Sequence, residues 1–170
     1  MTYKWIGAIL VVVSCGGFGF SLAASYRREE QFLTQMVAVL NFMICQLQYQ
    51  LTPLPELARM AGKESKGFLR PLLLEYGREM ERQIAPDSYS CMVAALAKVE
   101  DIPYGGRQLC LDLGRSLGKF DLPGQLKGLE TLKNRCIQSL KSLENNRDVR
   151  LRGYQTLGLC AGAAVVILFI

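Results

Sequence analysis

The chain has 170 residues, with 20 Lys or Arg, 15 Asp or Glu and no histidine, and a formal charge of +5. Without histidine the commonest general base is missing, and the six cysteines form no Cys-x-x-Cys pair, which removes zinc-type spacing. The positive charge is weak, interspersed with acidic residues and free of any aromatic-rich basic stripe, which argues against nucleic-acid binding.

In chain order, the first feature is an uncharged apolar run from Trp5 to Tyr26, and a second runs from Gly153 to Ile170. A bilayer core about 30 Å thick needs roughly 20 apolar helical residues. The first run meets that length and the second just reaches it. All 15 acidic residues and all but one of the 20 basic ones lie between Arg27 and Arg152. The expected organisation is an N-terminal transmembrane anchor over 1–26, a polar domain over 27–152 and a C-terminal transmembrane anchor over 153–170. Ser21-Leu22-Ala23 also reads as a signal-peptidase site and Val12-Val13-Ser14-Cys15 as a loose lipoprotein site. The apolar run continues past Cys15, and Arg27-Arg28 stops it, which favours a retained anchor.

Arginines set the orientation. Arg27, Arg28, Arg147, Arg150 and Arg152 flank the inner ends of the two runs, against Lys4 alone on the other side. Basic flanks stay in the cytoplasm, so the central domain is expected to be cytoplasmic on a two-pass cell-membrane protein. The basic flanks also suit contact with anionic lipid. Small residues Gly158, Ala161, Gly162 and Ala164 in the second run permit close helix packing, and with it homo-oligomerisation.

The central domain reads as all-α: a helical bundle of about six helices between the two anchors. From Arg27 the first anchor continues as an amphipathic helix to about Gln50, with Leu33, Met36, Val37, Leu40, Ile44 and Leu47 on one stripe. Thr52 is placed to cap the second helix, with Pro53 its first residue and Pro55 fixing the turn. That helix is expected to stop at Gly62. A third spans Phe68 to Gln83 with Pro71 near its start, and Asp87 or Ser88 caps a fourth over Cys91 to Val99. The fifth runs from Pro103 to Leu117, where Gly118 terminates it in a left-handed conformation. Asp121 then caps a sixth helix with Pro123 in its first turn and a stripe of Leu126, Leu129, Leu132, Cys136, Leu140 and Leu143. Strand alternation is rare. Cys45, Cys91, Cys110 and Cys136 sit among apolar neighbours and are expected to be buried, reduced thiols.

No catalytic, cofactor or metal site emerges. Gly114-Arg115-Ser116-Leu117-Gly118 lacks the Gly-Lys-Ser/Thr element of a phosphate loop. The rival enzymatic reading is a membrane-bound carboxylate-dependent enzyme using Asp112 with Glu75 or Glu79. A one-domain membrane signalling adaptor is a third. Arg115, Lys119 and Gln125, at the corner between the fifth and sixth helices, are the candidate partner-binding residues.

Two segments carry a resemblance. Tyr49-Gln50-Leu51-Thr52-Pro53-Leu54-Pro55-Glu56-Leu57, followed by Leu113-Gly114-Arg115-Ser116-Leu117-Gly118-Lys119-Phe120-Asp121 and Gln125, is similar to the stage III sporulation protein AB family, anchors included. Leu122-Pro123-Gly124 replaces a more acidic first turn. The resemblance implies a domain like the helical F-type platform domains of type II secretion and type IV pilus systems. It implies a non-enzymatic adaptor in the channel complex between mother cell and forespore. There it would couple a cytoplasmic secretion-type ATPase to other membrane subunits, in the mother-cell membrane surrounding the forespore.

Overall fold

A computed structural model describes the backbone over 2–83, 85–99, 102–118 and 121–169, and the side chains of these residues within 26–145, Tyr104 excepted. The described residues form six α-helices and no strand: α1 Thr2–Tyr49, α2 Leu54–Glu64, α3 Leu69–Arg82, α4 Ser88–Lys98, α5 Tyr104–Ser116 and α6 Leu122–Phe169. The chain divides into two compact units, Met1–Arg28 with Lys141–Ile170, and Glu29–Leu140. The side chains of Trp5 to Ser25 and of Gly153 to Ile170 lie outside the described residues, as do those of Arg147, Arg150 and Arg152.

Within Glu29–Leu140 the core begins on α1. Phe32, Leu33, Met36, Val39, Leu40, Met43, Ile44 and Leu47 are all buried. The face is wider than the expected stripe, which lacked Phe32, Val39 and Met43. Each large side chain so buried contributes roughly 1.5–3 kcal/mol. Tyr26–Tyr49 is long and apolar enough to cross a membrane by length and composition alone. In this unit its apolar side chains supply the domain core. On α6, Leu129, Leu132 and Cys136 of the expected stripe are buried, while Leu126, Leu140 and Leu143 are partly exposed.

The helix boundaries follow from local chemistry. Asp87 caps α4, its Oδ1 accepting the Ser90 N–H at 3.0 Å. Asp121 precedes α6 and its Oδ1 accepts the Gly124 N–H at 3.2 Å. Pro71 falls in the first turn of α3, where an N–H has no intrahelical partner to lose. At the end of α5, Leu117 is already extended and Gly118 takes φ +79°. A Cβ at Gly118 would lie 3.2 Å from the Ser88 Cβ.

Three expectations are corrected. Thr52 does not cap α2: Pro53 holds the N-cap position without a side-chain bond, and the Thr52 hydroxyl donates instead to Gln46 Oε1 at 3.4 Å. The chain reverses one residue earlier, at Leu51, whose φ of +50° is left-handed. Gly62 does not stop α2. It is buried inside the helix, where a Cβ would meet Leu74 at 3.0 Å, so its lack of a side chain serves the contact with α3. The helix ends two residues later, where the Ser65 N–H and hydroxyl both donate to the Ala61 carbonyl, at 3.0 and 2.6 Å. Cys45 is exposed, whereas Cys91, Cys110 and Cys136 are buried. Burial pushes the Cys110 thiol up to about 12 and the Cys136 thiol up to about 11, which leaves both unreactive at neutral pH.

The caps make a graded prediction. Asp87→Ala and Asp121→Ala should each lower stability by about 1 kcal/mol. Thr52→Ala should cost under about 0.5 kcal/mol, as changes away from caps and core do. Thermal unfolding of the full chain in detergent, followed by far-UV circular dichroism, checks the order. A Thr52→Ala loss as large as that of Asp121→Ala would contradict it.

Candidate docking groove between α5 and α6

Helices α5 and α6 meet where neither carries bulk. A Cβ on Gly128 would lie 3.1 Å from the Ser116 Cβ, so the two helices run close at that level. Around this contact opens a groove of about 480 Å³, lined from α5 by Asp112, Arg115 and Ser116 and from α6 by Gly124, Lys127, Gly128, Thr131, Leu132 and Arg135. The α6 residues Gly124, Gly128, Thr131 and Arg135 recur at steps of four, three and four, which places them on one helical face.

One carboxylate organises the cations. Asp112 Oδ1 accepts from Arg115 Nη1 at 3.3 Å, and Oδ2 accepts from Arg135 Nη1 at 3.1 Å. Gln108 Nε2 donates to Oδ1 as well, at 3.3 Å. The Arg115 guanidinium lies over the Tyr89 ring, 4.8 Å from its centroid. Asp112 is 17% exposed, while Arg115 and Arg135 are 53% and 59% exposed. The carboxylate is thus tucked inward and the guanidiniums face water. With Lys127 added, three cations stand against one anion. Surface ion pairs of this kind contribute about 0–1 kcal/mol to folding, so stability alone gives little reason for the cluster.

Of the residues expected at this corner, Arg115 lines the groove. Gln125 lies in the first turn of α6, where its N–H donates to the Asp121 carbonyl at 2.9 Å. Lys119 lies outside the described residues. Lys127 and Arg135 were missed. Their signal was the small-residue face of α6, with Gly124 and Gly128 four apart and a basic side chain beside or beyond them. The two motif segments meet: a Cβ at Gly118 would lie 3.5 Å from Leu54 Cδ1, between Pro53 and Pro55 in sequence. Pro55 itself faces α3, its carbonyl 3.1 Å from where a Gly77 Cβ would sit.

The rival enzymatic reading pairs Asp112 with Glu75 or Glu79, and among the described ion pairs Asp112 shares no partner with either. Asp112 holds Arg115 and Arg135. Glu75 and Glu79, on α3, both accept from Lys98 Nζ of α4, at 2.8 and 2.5 Å, and pair with Arg78 at 3.1 Å and Arg82 at 3.0 Å. Glu79 is nearly buried, and this network ties α3 to α4. Beside it the Tyr76 hydroxyl is hydrogen-bonded to Ser88 Oγ. Among the described residues, no group of three or more His, Cys, Asp or Glu is placed to hold a metal ion.

Comparison with known proteins adds the following. A family model described as stage III sporulation protein AB matches residues 4–170. A solved structure titled stage III sporulation protein AB superposes with a TM-score of 0.62 at 15% identity, over 72% of this chain and 98% of that one. At that identity the likeness concerns the fold. No curated protein sequence matches the chain.

The α3–α4 network predicts a pH dependence. The hydrogen bond from Lys98, with Arg78 beside it, holds the Glu75 carboxyl below its ordinary value of 4.5. A carboxylate lowered on folding adds stability that is present above the unfolded value and lost as pH falls through the folded one. Lys98→Met should therefore lower the melting temperature at pH 7, and the gap from the parent should close below about pH 4. Melting curves across pH 3–7 check this; a gap of constant size would show that the pair contributes no charge-dependent stability.

Proposed function

The chain belongs to the stage III sporulation protein AB family, and from that premise we propose that it is a non-enzymatic, membrane-anchored adaptor of the sporulation channel complex. In this reading the protein passes the membrane twice through its uncharged ends. The Glu29–Leu140 domain stands in the mother-cell cytoplasm, on the membrane surrounding the forespore. The arginines flanking both runs support that orientation. The family expectation of an F-type platform domain supports a coupling role between a cytoplasmic secretion-type ATPase and other membrane subunits.

The observation that carries the proposal is the α5–α6 groove. It is concave and cationic, and its one carboxylate is engaged by two arginines. Such a surface offers recognition and no group poised for acid–base work. An adaptor of this kind acts mechanically: a rigid helical domain holds the ATPase on one face and transmits a change of position through α1 and α6, which continue into the two uncharged runs. Exposed cations at a docking face steer association and set specificity more than they add stability.

Charge reversal separates docking from folding. Lys127→Glu with Arg135→Glu should leave melting within a few degrees of the parent, abolish co-purification of the ATPase from sporulating cells and lower the spore count. Phosphatase fused after Lys66 should stay inactive in the same cells. Full co-purification by the double variant, or an active fusion, would overturn the reading; recovery of regulators in place of the ATPase would favour the signalling adaptor.

A further inference from the structure

The groove carries more than a net charge; it carries a spacing. We infer that it receives an acidic peptide segment of the partner, with side-chain carboxylates bound by Arg115, Lys127 and Arg135. This rests on the adaptor reading for the partner's identity and on the groove alone for its chemistry.

Three features favour carboxylates on a peptide. Lys127 and Arg135 are eight residues apart on α6, about 12 Å at 1.5 Å per residue. That separation matches carboxylates two helical steps of four apart, or four residues apart in an extended chain at about 3.3 Å each. Second, Asp112 takes one Nη from each guanidinium, at 3.3 and 3.1 Å. A guanidinium has five N–H donors in a planar fork, so each arginine is held in orientation while donors remain for a second carboxylate. Arg115 is steadied further by Tyr89, with its guanidinium over the ring and Nη2 donating to the hydroxyl at 3.5 Å, which leaves its remaining N–H groups free to turn to a ligand. Bidentate Arg–carboxylate pairing is the geometry such a fork suits. Third, the groove is also lined by Ser116, Gly124, Gly128 and Leu132. Without long side chains there, a second backbone can approach the cleft. A flat bilayer surface could meet the exposed arginine tips without entering the concavity.

Asp112 is therefore a positioning residue. It sets the two forks and lowers the net charge of the groove from three to two positives. A segment with carboxylates at intervals engages all three.

The test uses the full chain in neutral detergent micelles and a fluorescent hexaglutamate peptide, read by anisotropy. Binding should be seen at low salt and fall steeply toward 0.5 M KCl as the charges are screened. Lys127→Glu with Arg135→Glu should weaken it by about tenfold or more, since two exposed charge contacts are lost. Lys63→Glu with Arg70→Glu changes the net charge equally on the exposed parts of α2 and α3, and should weaken it by less than about twofold. Equal loss in the two pairs, or no peptide binding by the parent, would overturn the inference. So would displacement of the peptide by phosphatidylglycerol added to the micelles, or by inorganic phosphate, at equal or lower charge concentration. Loss of peptide binding with full retention of the ATPase would leave the acidic-segment site standing and remove the ATPase as its source.

Discussion

Helix α5 comes unusually near three other helices, and each approach falls on a glycine or a serine. A Cβ at Gly106 would lie 2.7 Å from the Phe32 ring of α1, and one at Gly114 would lie 2.8 Å from the Met92 Cβ of α4. Ser116 faces Gly128 of α6. At such distances a single methyl group forces atoms apart, and overpacking of this kind costs about 1–3 kcal/mol. The close approach lets Phe32, Met92 and Leu113 be buried at once, and it fixes α5 between the core helix α1 and the cationic face of α6. The groove is a consequence of the same packing. Where α5 and α6 touch through Ser116 and Gly128, the basic side chains Arg115, Lys127 and Arg135 line the groove beside the contact.

The two charged clusters of the domain do different work for the same reason of burial. Around Glu79, nearly excluded from water, Lys98 and Arg82 satisfy a carboxylate that would otherwise be costly. Removal of one partner there leaves a buried charge behind. Around Asp112 the cations are more than half exposed and two in number, so loss of one leaves the carboxylate paired with the other. The first cluster holds α3 against α4. The second faces water.

Periodicity and capping chemistry made the helices legible. Of the expected α1 stripe, Leu33, Met36, Leu40, Ile44 and Leu47 are buried and Val37 is partly exposed, and Asp87 and Asp121 hold the amides that acidic caps hold. All-α architecture follows, and the family follows from the two motif segments. Tertiary contacts hid the rest. Gly62 reads as a helix stop by propensity, yet Leu74 occupies the space its side chain would need. Thr52 has the right side chain for a cap, but the left-handed turn at Leu51 lets Pro53 take that position. Lys127 and Arg135 look like ordinary solvent-facing charges of a long helix. Asp112 on the neighbouring helix joins Arg135 to Arg115, and Lys127 lines the same groove.

The central claim is that the α5–α6 groove is the face through which this domain meets its cytoplasmic partner. A photo-crosslinking amino acid placed at Thr131, on the groove wall, and separately at Gln48, exposed on α1, tests it most directly in sporulating cells. Mass spectrometry of the adducts should find the Thr131 probe joined to an acidic stretch of the ATPase and the Gln48 probe not. An ATPase adduct from Gln48 alone would contradict the account.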